Sequence, residues 1–265
     1  MIKDITIGQY FPGNSFVHRI DPRVKILLTC LYITMVFFAS NVLSFLICGV
    51  FLFVSVKASS VPFKNMVRGL KSVLFIIAFT GIFNLFMVPG DKLFSIGPLT
   101  ATVQGGKMAL MMIVRVFFLI TGTTLLTFTT SPIRLTDGIE YILKPFSRFG
   151  VPAHELAMMM SIALRFIPTL IEETDKIMKA QSARGADFEN GGIVKRAKSF
   201  VPILVPLFIS AFRRADELAV AMECRCYRGG DGRTKLIQLK CSYVDLIAFL
   251  FVAVFLTLVI ISRFI

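Results

Sequence analysis

Histidine occurs twice in this chain, tryptophan not at all, and acidic residues number 16 against 29 lysines and arginines. These scarcities remove several chemistries at once. His154-Glu155-Leu156-Ala157-Met158 is one residue short of a zinc-protease helix, because zinc there needs a second imidazole four residues on, where Met158 stands. The other histidine, His18, lies in a separate N-terminal segment. Gly106-Lys107 resembles the end of a phosphate-binding loop, but Ala101 and Met108 replace the glycine and the hydroxyl residue that such a loop requires. Cys224-x-Cys226 has no further Cys or His pair nearby to complete a metal site. Glu172-Glu173 lacks the Arg that intramembrane prenyl-protein endopeptidases carry four residues after such a pair; Ile177 occupies that place, and a charged helix face is the expected role. We therefore expect no catalytic residue, no metal and no cofactor bound directly.

Apolar residues dominate what is present: 55% of the chain is hydrophobic, with 27 Phe and a mean hydropathy of +0.77. A soluble domain of this size could not cover so much apolar surface, whereas a bilayer solvates it. The run Ile26–Val56 is too long for one span and breaks at Ala39-Ser40-Asn41, which predicts a hairpin of two spans. Its flanks are equally basic: Lys3, Arg19, Arg23 and Lys25 before it, Lys57, Lys64, Arg68 and Lys71 after it. By the positive-inside rule both belong on the cytoplasmic side. A third span is expected near 72–88, a fourth near 108–128 and a fifth at Val244–Ile261, with the poorly charged 89–107 loop outside. The expectation is a cytoplasmic N-terminus, five crossings and no cleaved signal, since residues 1–25 hold no apolar run before a small-residue cleavage site. This distribution also accounts for the net charge of +13 without nucleic acid as a partner. Cys30, Cys48, Cys224, Cys226 and Cys241 fall in spans or in basic, cytoplasmic segments, so no disulfide is expected.

Residues 131–243 form the unusual part. They carry 17 Lys/Arg and 12 Asp/Glu among helices apolar on too wide a face for water yet too charged for lipid. The pattern predicts helices over Arg134–Phe149, Ala153–Arg184 and Ile193–Arg225. The fold class expected is all-α: a polytopic membrane protein of about five transmembrane helices, four of them in 1–130 and the fifth in 244–265. A cytoplasmic subdomain of about three helices lies between them at 131–243.

Two similar constructions close the long helices: Gln181-Ser182-Ala183-Arg184-Gly185 and Met222-Glu223-Cys224-Arg225-Cys226. Each sets an arginine between small residues at a helix C-terminus, whose partial negative charge favours an outward-projecting cation. The small neighbours allow close approach by a partner, and the guanidinium is left for a carboxylate.

Together with Pro12-Gly13-Asn14-Ser15, the run His18–Lys25, Arg165-Phe166-Ile167-Pro168, Ala180–Asp187 and Ala221–Gly230, these features resemble the transmembrane T component of energy-coupling factor transporters. The resemblance covers most of the chain. It implies coupling helices whose X-Arg-X motifs (Ala183-Arg184-Gly185 and Cys224-Arg225-Cys226) insert into grooves of two ABC-type ATPase subunits, which bind the ATP. Cysteines replace the usual Ala and Gly beside Arg225. It further implies one small substrate-binding membrane subunit, for vitamin or metal-ion uptake, and Met158, Met159, Phe166, Phe200, Phe208 and Phe212 form the expected platform for it.

Two other classes compete. A secondary transporter needs ionisable groups at mid-membrane and usually an inverted repeat; Arg115 is the one deep charge and no repeat is evident. A membrane-embedded hydrolase needs a complete nucleophile or metal constellation.

Overall fold

The computed structural model describes residues 10–62, 66, 73–96, 99–186, 188, 192–230 and 242–263. Lys64, Arg68, Lys71, Asp187 and Cys241 lie outside them. In chain order the elements are α1 (Phe16–Arg19), α2 (Pro22–Phe38), α3 (Val42–Ser59), α4 (Leu74–Met87), β1 (Lys92–Ile96), β2 (Leu99–Thr102), α5 (Val103–Thr129) and α6 (Pro132–Leu143). A 3-10 helix (Lys144–Phe149), α7 (Ala153–Ala183), α8 (Ile193–Cys224) and α9 (Tyr243–Ser262) follow. The chain divides into two compact units, one of Gly8–Gly138 with Gln238–Ile265 and one built on Ile139–Ile237.

In the first unit, polar side chains are inside and large apolar ones outside. His18, Asp21, Lys25, Ser44 and Asp245 are buried, while Phe75 is 78% exposed and Leu46, Phe53, Phe79 and Leu250 are each more than 60% exposed. That inversion suits a lipid surround, in which an unpaired polar group costs more than an exposed phenylalanine. The helices are held from within by a run of rings: Tyr32 stacks on Phe51 at 5.4 Å, and Phe51 on Phe251 at 5.3 Å. Gly122 lets α2 approach α5, because a Cβ there would collide with the Tyr32 ring, whose hydroxyl donates to the Phe118 carbonyl at 2.8 Å.

Hydrogen bonds fix the direction of each pass. The Asp21 amide donates to Asp245 Oδ1 at 2.7 Å, so α2 and α9 start at the same end. Asn41 Nδ2 and Ser44 Oγ meet Ser262 at 3.3 and 2.7 Å, so α9 finishes at the turn between α2 and α3. Lys25 Nζ donates to the Thr129 carbonyl and to Thr130 Oγ1, at 2.9 and 3.2 Å, which brings the end of α5 to the start of α2. At the opposite end Thr102 Oγ1 caps α5 by accepting from the Gly105 amide and donates to the Val88 carbonyl after α4. Thus α2, α4 and α9 run one way, and α3 and α5 the other. The Ala39-Ser40-Asn41 break falls where the sequence places it, between α2 and α3.

Arg115, the deep charge of α5, donates to the Ala39 carbonyl just past the end of α2 and lies over the Phe45 ring, 5.6 Å from its centre. A helix C-terminus and an aromatic face both suit a cation.

Two features differ from the sequence expectation. The 89–107 segment contains an antiparallel hairpin, Lys92 against Thr102 and Ile96 against Leu99, where only a loop was expected. Among the described residues, the helices long and apolar enough to cross a membrane are α3, α5, α7 and α9, while the apolar stretch of α4 is shorter. At 17 residues, α2 is about 25 Å long, short of the ~30 Å of hydrocarbon. Helix α7 enters the set because its charges crowd into its second half, from Glu172 onward.

Asp245 serves two donors at once, since Oδ2 also accepts from the Ser242 amide at 2.7 Å in a capping box. Asparagine has one carbonyl oxygen and would turn its NH2 toward the second donor. Asp245→Asn and Asp245→Ala should each cost about 1–3 kcal/mol by leaving a buried amide unpaired. Thermal melting of the detergent-purified chain should therefore fall for both; unchanged melting in Asp245→Asn would contradict this role.

Candidate functional site

The two arginine motifs occupy the C-termini of α7 and α8 in the second unit. Helix α7 has a basic and acidic final third and no helix-breaking residue after Pro168, so it runs unbroken to Ala183. Arg184 is its C-cap residue, with φ −88° and ψ 7°. The Gly185 amide donates to the Ser182 carbonyl and the Ala186 amide to the Gln181 carbonyl, both at 3.0 Å. That pairing, with Gly185 at φ +87°, is the Schellman turn, which satisfies carbonyls the helix end would otherwise leave bare.

Helix α8 ends in the same way. Arg225 is the C-cap residue, at φ −91° and ψ 12°. The Cys226 amide donates to the Glu223 carbonyl at 2.8 Å, and the Tyr227 amide to the Met222 carbonyl at 3.0 Å. Cys226 takes the left-handed position at φ +55°. The sequence pattern small-Arg-small therefore has a backbone meaning: last helical residue, C-cap, left-handed turn residue.

Ala183, Arg184, Gly185, Cys224, Arg225 and Cys226 are all exposed. Among the described residues neither guanidinium makes an ion pair. Both cations stand at the negative end of a helix, and the turn occupies the carbonyls of Gln181 and Ser182 at one tip and of Met222 and Glu223 at the other. Such an arrangement leaves all the guanidinium donors for an acidic partner. Cys224 and Cys226 are free thiols.

The remaining expected positions divide by exposure. Phe200, Phe208 and Phe212 are 40%, 62% and 63% exposed, and with Leu204 they recur at every fourth residue along one face of α8. The Phe208 and Phe212 rings meet at a tilt, their centres 5.9 Å apart. On α7, Met159 is exposed, whereas Met158 and Phe166 are half-buried.

His154, the residue of the incomplete zinc pattern, meets Glu140 through Nδ1 at 3.1 Å and packs beneath Gly230, where a Cβ would stand 2.8 Å from the ring. Among the described residues no group of three His, Cys, Asp or Glu is placed to hold a metal. Sequence reasoning missed one pairing in this unit. Arg214 on α8 contacts Glu173 Oε2 on α7 at 3.2 Å. A hydrogen bond from Ser210, then the charge of Arg214, holds the Glu173 carboxyl below the usual carboxylate range.

Cysteine in a left-handed turn is strained by its Cβ, at about 1–2 kcal/mol. Cys226→Gly should recover about 1 kcal/mol of that and raise the melting temperature, with no change in the position of Arg225. Gly185→Ala places a Cβ in the same conformation at the other tip and should lower it.

The family described as CbiQ, Cobalt transport protein, matches residues 13–236. The chain is 55% identical over 264 residues to the energy-coupling factor transporter transmembrane protein EcfT of Thermosediminibacter oceani, covering 100% of both chains. It is 56% identical over 265 residues to EcfT of Clostridium kluyveri, covering 99% of this chain and 98% of that one. EcfT of Bacillus subtilis is 49% identical over 240 residues, 90% of this chain and 91% of its own. With identity of this order from end to end, the chain belongs to the CbiQ family, as a transmembrane component of energy-coupling factor transporters.

Proposed function

We propose that this chain is the coupling subunit of such a transporter, and that the Arg184 and Arg225 tips dock into one acidic groove on each of two ABC-type ATPase subunits. The observation that carries the reading is the congruence of the two tips: the same C-cap arginine, the same Schellman turn and exposed flanks. Two like plugs suit two like sockets. The chain itself performs no catalysis and binds no cofactor; ATP is bound by the ATPase subunits.

The segment 131–243 acts as the cytoplasmic coupling subdomain. Orientation follows from charge. The end of the membrane unit at which α2 starts gathers Arg19, Arg23, Lys25, Lys57 and Arg134, which supports a cytoplasmic position for that end. The exposed Phe200, Phe208 and Phe212 face, with Met158, Met159 and Phe166, receives one small substrate-binding membrane subunit that carries the vitamin or metal ion. Phenylalanine and methionine side chains repack readily, as a surface serving several such subunits would require. In the membrane unit a cavity of about 230 Å³ lies among Ile20, Leu28, Tyr32, Phe51, Leu125 and Phe251. Its apolar walls are poorly suited to grip a hydrophilic solute, in keeping with a separate subunit for substrate.

Each docked arginine would give up water for a carboxylate, and deleting it leaves that carboxylate unpaired at a cost of about 2–5 kcal/mol. Arg184→Ala and Arg225→Ala should each weaken ATPase association by about 30-fold or more and cut uptake severely. Arg184→Glu with Arg225→Glu adds repulsion and should release the ATPase subunits altogether, while membrane insertion is unchanged. Co-purification and vesicle uptake measure both. Full ATPase retention and uptake in the double Glu variant would refute the assignment.

A further inference from the structure

The Glu173–Arg214 contact stands at a special place along α7 and α8. Arg184 lies eleven positions after Glu173, and Arg225 eleven positions after Arg214. At 1.5 Å per residue each arginine lies about 16 Å of helix beyond the pair. The two stretches, 174–183 and 215–224, contain neither proline nor glycine, so both are uninterrupted helix. The prolines fall on the other side of the pair. Pro168 precedes Glu173, and Pro202 and Pro206 precede Arg214. Each removes a helix hydrogen bond, freeing the carbonyls of Leu164, Lys198 and Pro202, and so softens the helix there.

Two stiff arms of equal length thus leave one cross-link, with softened helix behind it. We infer that the Glu173–Arg214 pair is the pivot that ties the two arginine arms together, so that displacement of either tip by its ATPase subunit moves both. Glu173 and Arg214 are positioning residues: they touch neither ATP nor substrate, and act through the placement of Arg184 and Arg225. Ser210 adds a further hydrogen bond to Glu173 from the α8 side, which gives the carboxylate two partners on the opposite helix. The Glu173 and Arg214 side chains are 25% and 38% exposed, and a pair so accessible contributes little to stability. Its loss therefore leaves the fold and changes the coupling. The inference rests on the proposed docking of the two arginine tips.

The test uses the complete transporter in vesicles, with Glu173→Gln, Arg214→Gln and the charge-retaining Arg214→Lys. Three quantities are read: ATPase subunits retained, substrate taken up per ATP hydrolysed, and the distance between spin labels at the exposed positions Lys179 and Val220, each five residues before its arginine. Both Gln variants should keep the ATPase subunits, lose about fivefold or more in uptake per ATP, and broaden the label distance. Arg214→Lys should stay near the wild type in all three. Wild-type uptake per ATP with a narrow label distance in the Gln variants would overturn the pivot, as would an Arg214→Lys variant as poorly coupled as Arg214→Gln. Loss of the ATPase subunits from the Gln variants would also overturn it, since the pair would then support docking itself. Failure of docking at the tips would appear separately, as ATPase retention in the Arg184→Glu, Arg225→Glu variant.

Discussion

The Asp245 carboxylate joins the beginnings of two helices more than two hundred residues apart, by accepting from the Asp21 and Ser242 amides. Four residues along α2, Lys25 holds the carbonyl end of α5. The first turn of α2 therefore clamps both the point where the chain leaves the membrane unit and the point where it returns. Everything between can be a long helical excursion without loosening the bundle. The N-terminal signature has the same purpose. His18 accepts or donates at Ser15 Oγ, 2.6 Å away, and donates Nε2–H to the Phe11 carbonyl at 2.9 Å. The Phe11 amide reaches the Phe128 carbonyl at the end of α5. Residues that carry the family resemblance in the sequence close one end of the bundle.

How much was legible depended on whether a signal was local. Helices α7 and α8 start and stop within a residue of the expected bounds, because Pro152, Gly185 and the residues around Arg225 punctuate the chain locally. The hairpin turn at Ala39–Asn41 was legible for the same reason. The left-handed Cys226 was not, since cysteine carries no preference for that conformation; the congruence with Gly185 gives it away in three dimensions. The Glu173–Arg214 contact depends on the rotation of two helices about their axes, which a charged helix face leaves open. Asp245 reads in sequence as a flank of an apolar run, and its buried work depends on a partner at the far end of the chain. The β1–β2 hairpin is short and weakly patterned, so its loop-like composition concealed it.

A mechanical division of labour emerges from these contacts. The membrane unit is closed on itself by buried polar bonds, while α7 and α8 leave Arg184, Arg225 and the Phe200, Phe208 and Phe212 rings exposed. The arginine tips are finished at the level of the backbone, with the helix carbonyls satisfied and the guanidinium groups uncommitted. Such tips suit the docking contact proposed for them.

The native thiols beside Arg225 allow the docking claim to be measured without altering the chain. Cys224 and Cys226 are exposed and free, so both should react rapidly with a maleimide in the isolated protein. Adduct mass spectrometry distinguishes them from Cys30, Cys48 and Cys241. On assembly with the ATPase subunits the account predicts strong protection of both thiols, in step with the amount of ATPase bound. Equal labelling of Cys224 and Cys226 in the free chain and in the full complex would contradict it.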